Sequence, residues 1–473
     1  MNWKPDRKKS TPLYRQIKQH IQEKISNGEW AEGSTIPTQR DLAASWQVNR
    51  STVVTAVEEL IADGYLEGDG RRGTKVAQNA WNKQKSVLDW QQYSSAGVWE
   101  PNIPTIQKIN QMEADSNMIR LGTGEMASTL FPKEQFQKIF QELGENVSTF
   151  GYGEPKGLSL LREEIRLYLQ ELGINVSTDS ILIVSGALQA FQLISQGLVQ
   201  SGWTLFSEKS SYLYTLPIFR SAGVHMVGWE LDELGVRIPN DISKRRGFLY
   251  TIPTYQNPTG AILPEQRREE ILAFSRLHQL PIIEDGAYQE LYWETPPPLS
   301  LKARPNSGNV LYIGTLSKTV SPGLRIGWVV GAKTVIDRLA DLKMQTDYGS
   351  SILSQWVAKE WFGRKYHIPH LQVLRAKLRE RKEFLIQLLE NYLKPYATWN
   401  NPSGGYYIWL RFHTKISIHH LFSKALTQKV LLHPGYIYQP DDRNHLRLSF
   451  CYEPKGRMEE GIKRLAKLVE EMI

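Results

Sequence analysis

The chain has 473 residues, 41% hydrophobic and 22% charged, with a formal net charge of +8. That length exceeds one ordinary core, so two or more domains are expected. The single cysteine, Cys451, excludes an internal disulfide and a cysteine-built metal cluster and favours a reducing compartment. No run of about 18 apolar residues occurs and no apolar stretch follows the basic N-terminus, which supports neither a membrane span nor a signal peptide; a cytoplasmic protein is expected. The basic excess is compatible with nucleic acid but does not require it, because it can be spread over a large surface.

The opening run Lys4, Arg7, Lys8, Lys9 reads as a flexible arm or a solvated terminus. Leu13, Ile17, Ile21 and Ile25 recur every fourth residue and predict a helix over 12–27, stopped by Gly28. A short helix over 38–45 follows, capped by Thr38 with Leu42 and Ala43 inward, then a turn over 46–49. A second helix is predicted over 50–63, burying Val53, Val57, Leu60 and Ile61 and ending at Gly64. Two short helices joined by a tight turn are the helix-turn-helix plan, whose second helix enters the major groove. Residues 65–67 and 74–76 then read as a two-stranded wing with Arg71 and Arg72 at its tip. The bland alternative is a small helical bundle with an exposed basic loop.

Pro37-Thr38-Gln39-Arg40-Asp41-Leu42-Ala43, Val48 to Val53, Gly64-Tyr65-Leu66 and Gly73 to Val76 resemble the winged helix-turn-helix of the GntR family of bacterial regulators. The resemblance implies that Arg40, Arg50, Ser51 and Thr52 contact DNA and that the wing, with Arg71 and Arg72, reaches the minor groove. Arg50 suits bidentate reading of a guanine, whereas Arg40 and the wing arginines suit phosphates. Val54 departs from relatives that carry another DNA-contacting arginine there, which puts sequence preference in doubt.

Residues 77–115 are rich in Gln, Asn and Ser, contain Pro101 and Pro104, and show no sustained period, so an interdomain linker is expected between domains at 1–76 and 116–473. Trp81, Trp90, Tyr93 and Trp99 are expected to dock on a domain surface. Beyond Ile119, apolar strands (181–184, 248–252, 281–283, 310–313, 326–330) alternate with helices (187–199, 264–279). Such a pattern predicts an α/β fold with a mainly parallel sheet, helices on both faces and ligands beyond the strand ends.

Several motifs fall at those ends. Lys318 follows strand 310–313 among hydroxyl residues, with Arg325 seven residues on. The amine suits a Schiff base with a phosphorylated aldehyde, and the arginine and hydroxyls suit its phosphate, although such a lysine is also a common solvated charge. Asp285, in Glu284-Asp285-Gly286-Ala287-Tyr288, suits a protonated pyridine nitrogen or, more simply, a helix cap. Asn257-Pro258-Thr259-Gly260 can aim an amide at a ring hydroxyl, Ser185-Gly186-Ala187 can offer backbone N–H groups to a phosphate, and Tyr212 can stack on a ring.

Taken in order, with Arg447 in Leu446-Arg447-Leu448-Ser449-Phe450, Gly122-Thr123-Gly124, the run Gly151 to Leu158 and Gly404-Gly405-Tyr406, these motifs resemble the aminotransferases of fold type I, which bind pyridoxal 5'-phosphate. The resemblance implies a smaller C-terminal α/β subdomain, Lys318 on the aldehyde, Asp285 on the pyridine nitrogen, and Asn257 and Tyr288 on the phenolic oxygen. It also implies Ser185, Gly186, Ala187, Thr315, Ser317 and Arg325 around the phosphate, Tyr212 on the ring face, Tyr152 reaching the phosphate of a partner subunit, and Arg447 on the substrate α-carboxylate. Lys209-Ser210-Ser211 replaces a proline-containing turn, and Ala187-Leu188 lacks the side-chain hydrogen bonds usual at that place.

A GntR-type head joined by a long linker to an aminotransferase-like domain is the arrangement of the MocR subfamily and its GabR branch. It implies a homodimeric regulator of operator DNA that senses an amine, an amino acid or the cofactor itself through aldimine exchange at Lys318. Because every residue for transamination is present, a working aminotransferase with an accessory DNA-binding domain is the alternative.

Overall fold

The computed structural model describes residues 3–68, 73–77, 93, 97–146, 151–232, 234–242 and 245–473, and its contacts separate at Gly97/Val98 into two units. In the first, helices α1 (Leu13–Ser26), α2 (Gln39–Trp46) and α3 (Arg50–Ala62) share one core. Ile17, Ile21 and Ile25 are fully buried, as their fourfold spacing predicts. Thr38 caps α2 through the Asp41 N–H, and Gly64, at φ 70°, turns the chain out of α3. Strands β1 (Leu66–Gly68) and β2 (Thr74–Val76) form the antiparallel wing, with Leu66 opposite Val76.

Three expectations change here. Ile61 is 40% exposed, and Ala56 takes its place in the buried stripe of α3. The N-terminal run is docked: the Trp3 ring stacks on His20 at 3.9 Å, Lys4 Nζ donates to Gln47 Oε1 at 2.8 Å and Arg7 to the Gln47 carbonyl at 3.1 Å. Within 77–115 a helix, α4 (Pro104–Met112), is present; Pro104 opens it and Ile106 and Ile109 are buried. Tyr93 and Trp99 are exposed, while Trp81, Trp90, Arg71 and Arg72 lie outside the described residues.

The second unit is built on a seven-stranded sheet. In chain order its strands are β4 (Ile181–Val184), β5 (Thr204–Glu208), β6 (His225–Trp229), β7 (Gly247–Thr251), β8 (Ile282–Asp285), β9 (Val310–Thr315) and β10 (Gly327–Val330), coming after the short β3 (Ile119–Arg120). The spatial order is β4-β10-β9-β8-β7-β5-β6, and β10 alone runs antiparallel to its neighbours. All residues of β4, β5, β7, β8, β9 and β10 are buried, which is why they read as continuous apolar runs. This order has one functional consequence. The C-terminal ends of β4, β5, β7, β8 and β9 and the N-terminal end of β10 share one edge, where Gly327 pairs with both Val184 and Thr315.

The smaller subdomain carries strands β11 (Ala397–Trp399), β12 (Tyr407–Phe412), β14 (His433–Pro434) and β15 (His445–Ser449), all antiparallel, in the order β11-β12-β15-β14. Strand β13 (Val430–Leu431) pairs with β3, so residues 119–121 are sewn to the C-terminal part; the Leu121 carbonyl also accepts from Ser449 N–H at 2.7 Å. Among the described residues no helix is long and apolar enough to cross a membrane.

Gly314, in the middle of β9, faces Trp328 of β10, and a Cβ there would run into that fully buried indole. Gly314→Ala is therefore expected to cost about 1–3 kcal/mol, seen as a lower urea midpoint; an unchanged midpoint would show that the indole can step aside.

Candidate functional site

Strand β9 delivers Lys318 to the shared edge. Thr315 Oγ1 accepts from the Ser317 N–H at 3.1 Å and donates to the Ile326 carbonyl at 3.2 Å, closing a tight turn. Lys318 then reaches across a cavity of about 370 Å³ and its Nζ donates to the Gly124 carbonyl at 2.7 Å. Its own carbonyl accepts from the Tyr406 hydroxyl.

Strand β8 ends in Asp285, which is buried on the cavity wall and accepts from the Ala287 N–H and the Tyr250 hydroxyl, each at 3.0 Å. Burial pushes its carboxyl above the usual range, while Ala287, Tyr250 and Lys318 pull it back. The Tyr288 hydroxyl is 3.0 Å from that of Tyr407, and burial raises it well above an ordinary phenol. Tyr212 lines the cavity; burial, then the charge of Asp285, push its phenol up to about 12.

Arg325 enters β10 in the left-handed conformation (φ 52°), and its Nη2 donates to the Ser185 carbonyl at 2.8 Å. Gly186 has φ 85°, the left-handed region that favours glycine, and a Cβ there would stand 2.7 Å from that nitrogen and push the guanidinium aside. Thr315, Ser317, Arg325 and Ala187 share this part of the wall. Ser185 lies off the cavity wall. Its N–H is taken by Gln189 Oε1 at 2.7 Å and its hydroxyl lies 3.1 Å from that of Ser350, which leaves Ala187 and Leu188 as the first-turn wall residues of helix α5 (Ala187–Gly197). The Gly186 N–H is likewise turned inward, to the Val184 carbonyl.

Opposite this cradle, Arg447 of β15 is buried with its guanidinium 4.0 Å from the Tyr407 ring centroid and 4.9 Å from that of Tyr438. It donates to Asn257 Oδ1 at 2.8 Å and to the Gly122 carbonyl at 2.6 Å, and it faces His433 Nδ1 at 3.0 Å. The edge thus brings together Lys318, Asp285, Asn257, Tyr288, Tyr212, Thr315, Ser317, Arg325 and Arg447. Tyr152 stands apart, off this wall and 86% exposed, its ring 4.8 Å from that of Tyr348. Sequence reading missed Tyr407, His433, Glu113 and Glu208. Of these only Tyr407 had a cue, the Gly404-Gly405-Tyr406 run beside it.

In the first unit, charge is sorted along α3. Glu59 and Asp63, toward its C-terminal end, are paired with Lys18 at 2.8 and 2.7 Å. Arg50 and Ser51 open the helix exposed, Thr52 is half-buried, and Arg40 is exposed in the first turn of α2. Among the described residues neither arginine has a carboxylate partner, so both guanidinium forks remain open to an anion.

Residues 116–465 match the family described as aminotransferase class I and II, and residues 13–76 match the bacterial regulatory proteins of the gntR family. The chain is 47% identical to the uncharacterized HTH-type transcriptional regulator YisV of Bacillus subtilis (strain 168), over 100% of this chain and 99% of that protein. It is 33% identical to the HTH-type transcriptional regulator NorG of Staphylococcus aureus (strain N315), over 92% of this chain and 100% of NorG. Among solved structures, the kynurenine aminotransferase of Pyrococcus horikoshii, in complex with PMP, superposes with a TM-score of 0.74 at 29% identity, over 81% of this chain and 97% of that one. An archaeal alanine:glyoxylate aminotransferase does so with a TM-score of 0.76 at 27% identity, over 82% and 100%.

Glu208, at the end of β5, accepts from Thr251 Oγ1 and the Ile252 N–H through one oxygen, while the other is buried without a partner. Burial pushes its carboxyl from 4.5 up to about 7. As pH rises from 4.5 the unfolded chain loses this proton first, so the group's contribution to stability is present at low pH and is lost by about pH 7. The loss is on the order of 3 kcal/mol. Urea midpoints of Glu208→Gln should lack this component between pH 5 and 8; identical pH slopes in both proteins would show that Glu208 is ionised throughout.

Proposed function

Because this chain belongs to the GntR-type DNA-binding regulators fused to an aminotransferase class I and II domain, we propose that it senses an amine or amino acid at Lys318 and converts occupancy into a change of operator affinity. The cofactor is pyridoxal 5'-phosphate, and the residues at the sheet edge fit it. Arg325, Thr315, Ser317 and the first turn of α5 suit an anion, with the guanidinium lying against Gly186. Asp285, buried and with no ion-pair contact among the described residues, suits a protonated ring nitrogen, because a positive charge there favours its ionised form. Asn257 and Tyr288 suit the phenolic oxygen, and Tyr212 the ring face.

When bound, the cofactor supplies an aldehyde for which primary amines compete and a cationic ring that draws electrons. This chain's residues do the rest. Arg447 holds an α-carboxylate, its guanidinium oriented by Tyr407 and Asn257. Lys318 Nζ, once free, rests on the Gly124 carbonyl, where it can also accept or return a proton. That bond is the observation that carries the sensor reading, since it links the state of the lysine to residues 122–124. A ligand shifts such an equilibrium only by binding the two states differently. The same residues suit turnover; regulation is favoured because the relatives that align over nearly the whole chain are named transcriptional regulators.

The reading includes a homodimer. Tyr152, Tyr348, Leu160, Leu188 and Leu353 are large exposed apolar side chains of the second unit, which suits a face covered by a second copy, with Tyr152 reaching the phosphate of the partner.

In Lys318→Ala the visible spectrum of the cofactor-loaded protein and its operator affinity should both stop responding to added amino acids. An effector response of wild-type size would reject exchange at this lysine. For the DNA head, Arg50→Ala should cost about 1–3 kcal/mol of operator binding and relax selectivity at one base pair, whereas Arg40→Ala should weaken all sequences alike and reduce the salt slope by about 1. Titration at several salt concentrations separates the two, and equal behaviour would reassign Arg50 to the backbone.

A further inference from the structure

With the residues that suit the cofactor set aside, the cavity wall keeps a second group of charges: Arg447, Glu113 and the exposed Glu125. Glu113 directly follows α4, and its Oε1 accepts from Thr123 Oγ1 at 2.7 Å. Among the described residues no lysine or arginine pairs with it. Its one cationic candidate is His433, whose Nε2 lies 3.9 Å away. The contact is not built as an ion pair: His433 Nδ1 faces a guanidinium, which can only donate and so needs Nδ1 unprotonated, and burial and Arg447 push the imidazole pKa well below the ordinary value. His433 is 7% exposed, and its Nε2 has no hydrogen-bond partner although it points at this carboxylate. Its Nδ1 faces Arg447 Nη2 at 3.0 Å and the Tyr438 hydroxyl at 3.1 Å. A single imidazole therefore separates the guanidinium from an uncompensated carboxylate, and both open on the cavity that Lys318 crosses.

We propose that Glu113 selects the effector: a short diamino acid whose α-carboxylate lies on Arg447, whose α-amine goes to the cofactor and whose side-chain ammonium lies on Glu113. The inference rests on the sensor reading and adds the ligand class to it. A monoamino acid of the same length fills the same volume but leaves Glu113 facing a methyl group, which forfeits one charge-assisted hydrogen bond in a partly desolvated site. A keto oxygen at that position would offer Glu113 no proton, and an acidic side chain would meet it with the wrong sign.

The test uses the cofactor-loaded full chain, titrated by calorimetry and by its visible band with 2,4-diaminobutyrate and ornithine and with their methyl isosteres norvaline and norleucine. The diamino acids should bind about tenfold to a hundredfold more tightly than the isosteres. In Glu113→Gln, which keeps the Thr123 contact but loses the charge, that ratio should collapse toward one. Equal affinities within each pair in the wild-type protein, or a ratio that survives in Glu113→Gln, would overturn the assignment of Glu113 while leaving amine sensing intact. If no amine of either kind perturbs the band, the sensor reading itself fails and this assignment falls with it. Should Glu113→Gln not fold, the wild-type ratio decides alone.

Discussion

One hydrogen bond, from Lys318 Nζ to the Gly124 carbonyl at 2.7 Å, ties the shared edge of the large sheet to residues that belong structurally to the other subdomain. Strand β3, just before, is sewn to β13, and the Leu121 carbonyl to Ser449, so residues 119–124 travel with the C-terminal part of the chain. A lysine at a strand end is commonplace. A lysine whose amine makes, among the described residues, one hydrogen bond, and that to a carbonyl of another subdomain, is a link between the two parts of the unit that an aldehyde would compete for.

The electrostatics of the edge point the same way. Asp285, Glu208 and Tyr250 lie together in the interior, and each is pushed toward its neutral form by burial. Tyr250 and Ala287 satisfy Asp285 as an acceptor but bring no full positive charge. The site therefore has a deficit of positive charge at its floor and a surplus at Arg325 on its rim. A ligand that is cationic in its ring and anionic at its end corrects both at once, which is an argument from the residues alone for the kind of group that belongs there.

How much of this could be read from the chain depends on the distance over which each feature is decided. Lys318, Asp285 and the Ser185 turn each follow a buried strand, so local apolar runs were enough to place them on one edge once a parallel sheet was expected. The fate of the Ser185 N–H was not legible, because a side chain one turn into α5 folds back on it. Helix α4 escaped notice for want of pattern: nine residues with two buried isoleucines in polar surroundings carry little periodicity. The docking of the N-terminal run depends on Trp3 meeting His20 and Trp46, a tertiary contact that no local spacing reveals. Glu113 and His433 are the extreme case, brought together from opposite ends of the second unit by the β3–β13 pairing.

Residues 122–124 show why that pairing matters. Each is held by a different side chain of the cavity wall: the Gly122 carbonyl by Arg447, the Thr123 hydroxyl by Glu113 and the Gly124 carbonyl by Lys318. Neither glycine can be replaced by a larger residue without striking His433 or Tyr407, so the segment has almost no slack. A ligand that engages Arg447, Lys318 and Glu113 would compete with all three restraints together. Glu113 itself directly follows α4, so the carboxylate that holds Thr123 stands at the end of the first described helix of the second unit.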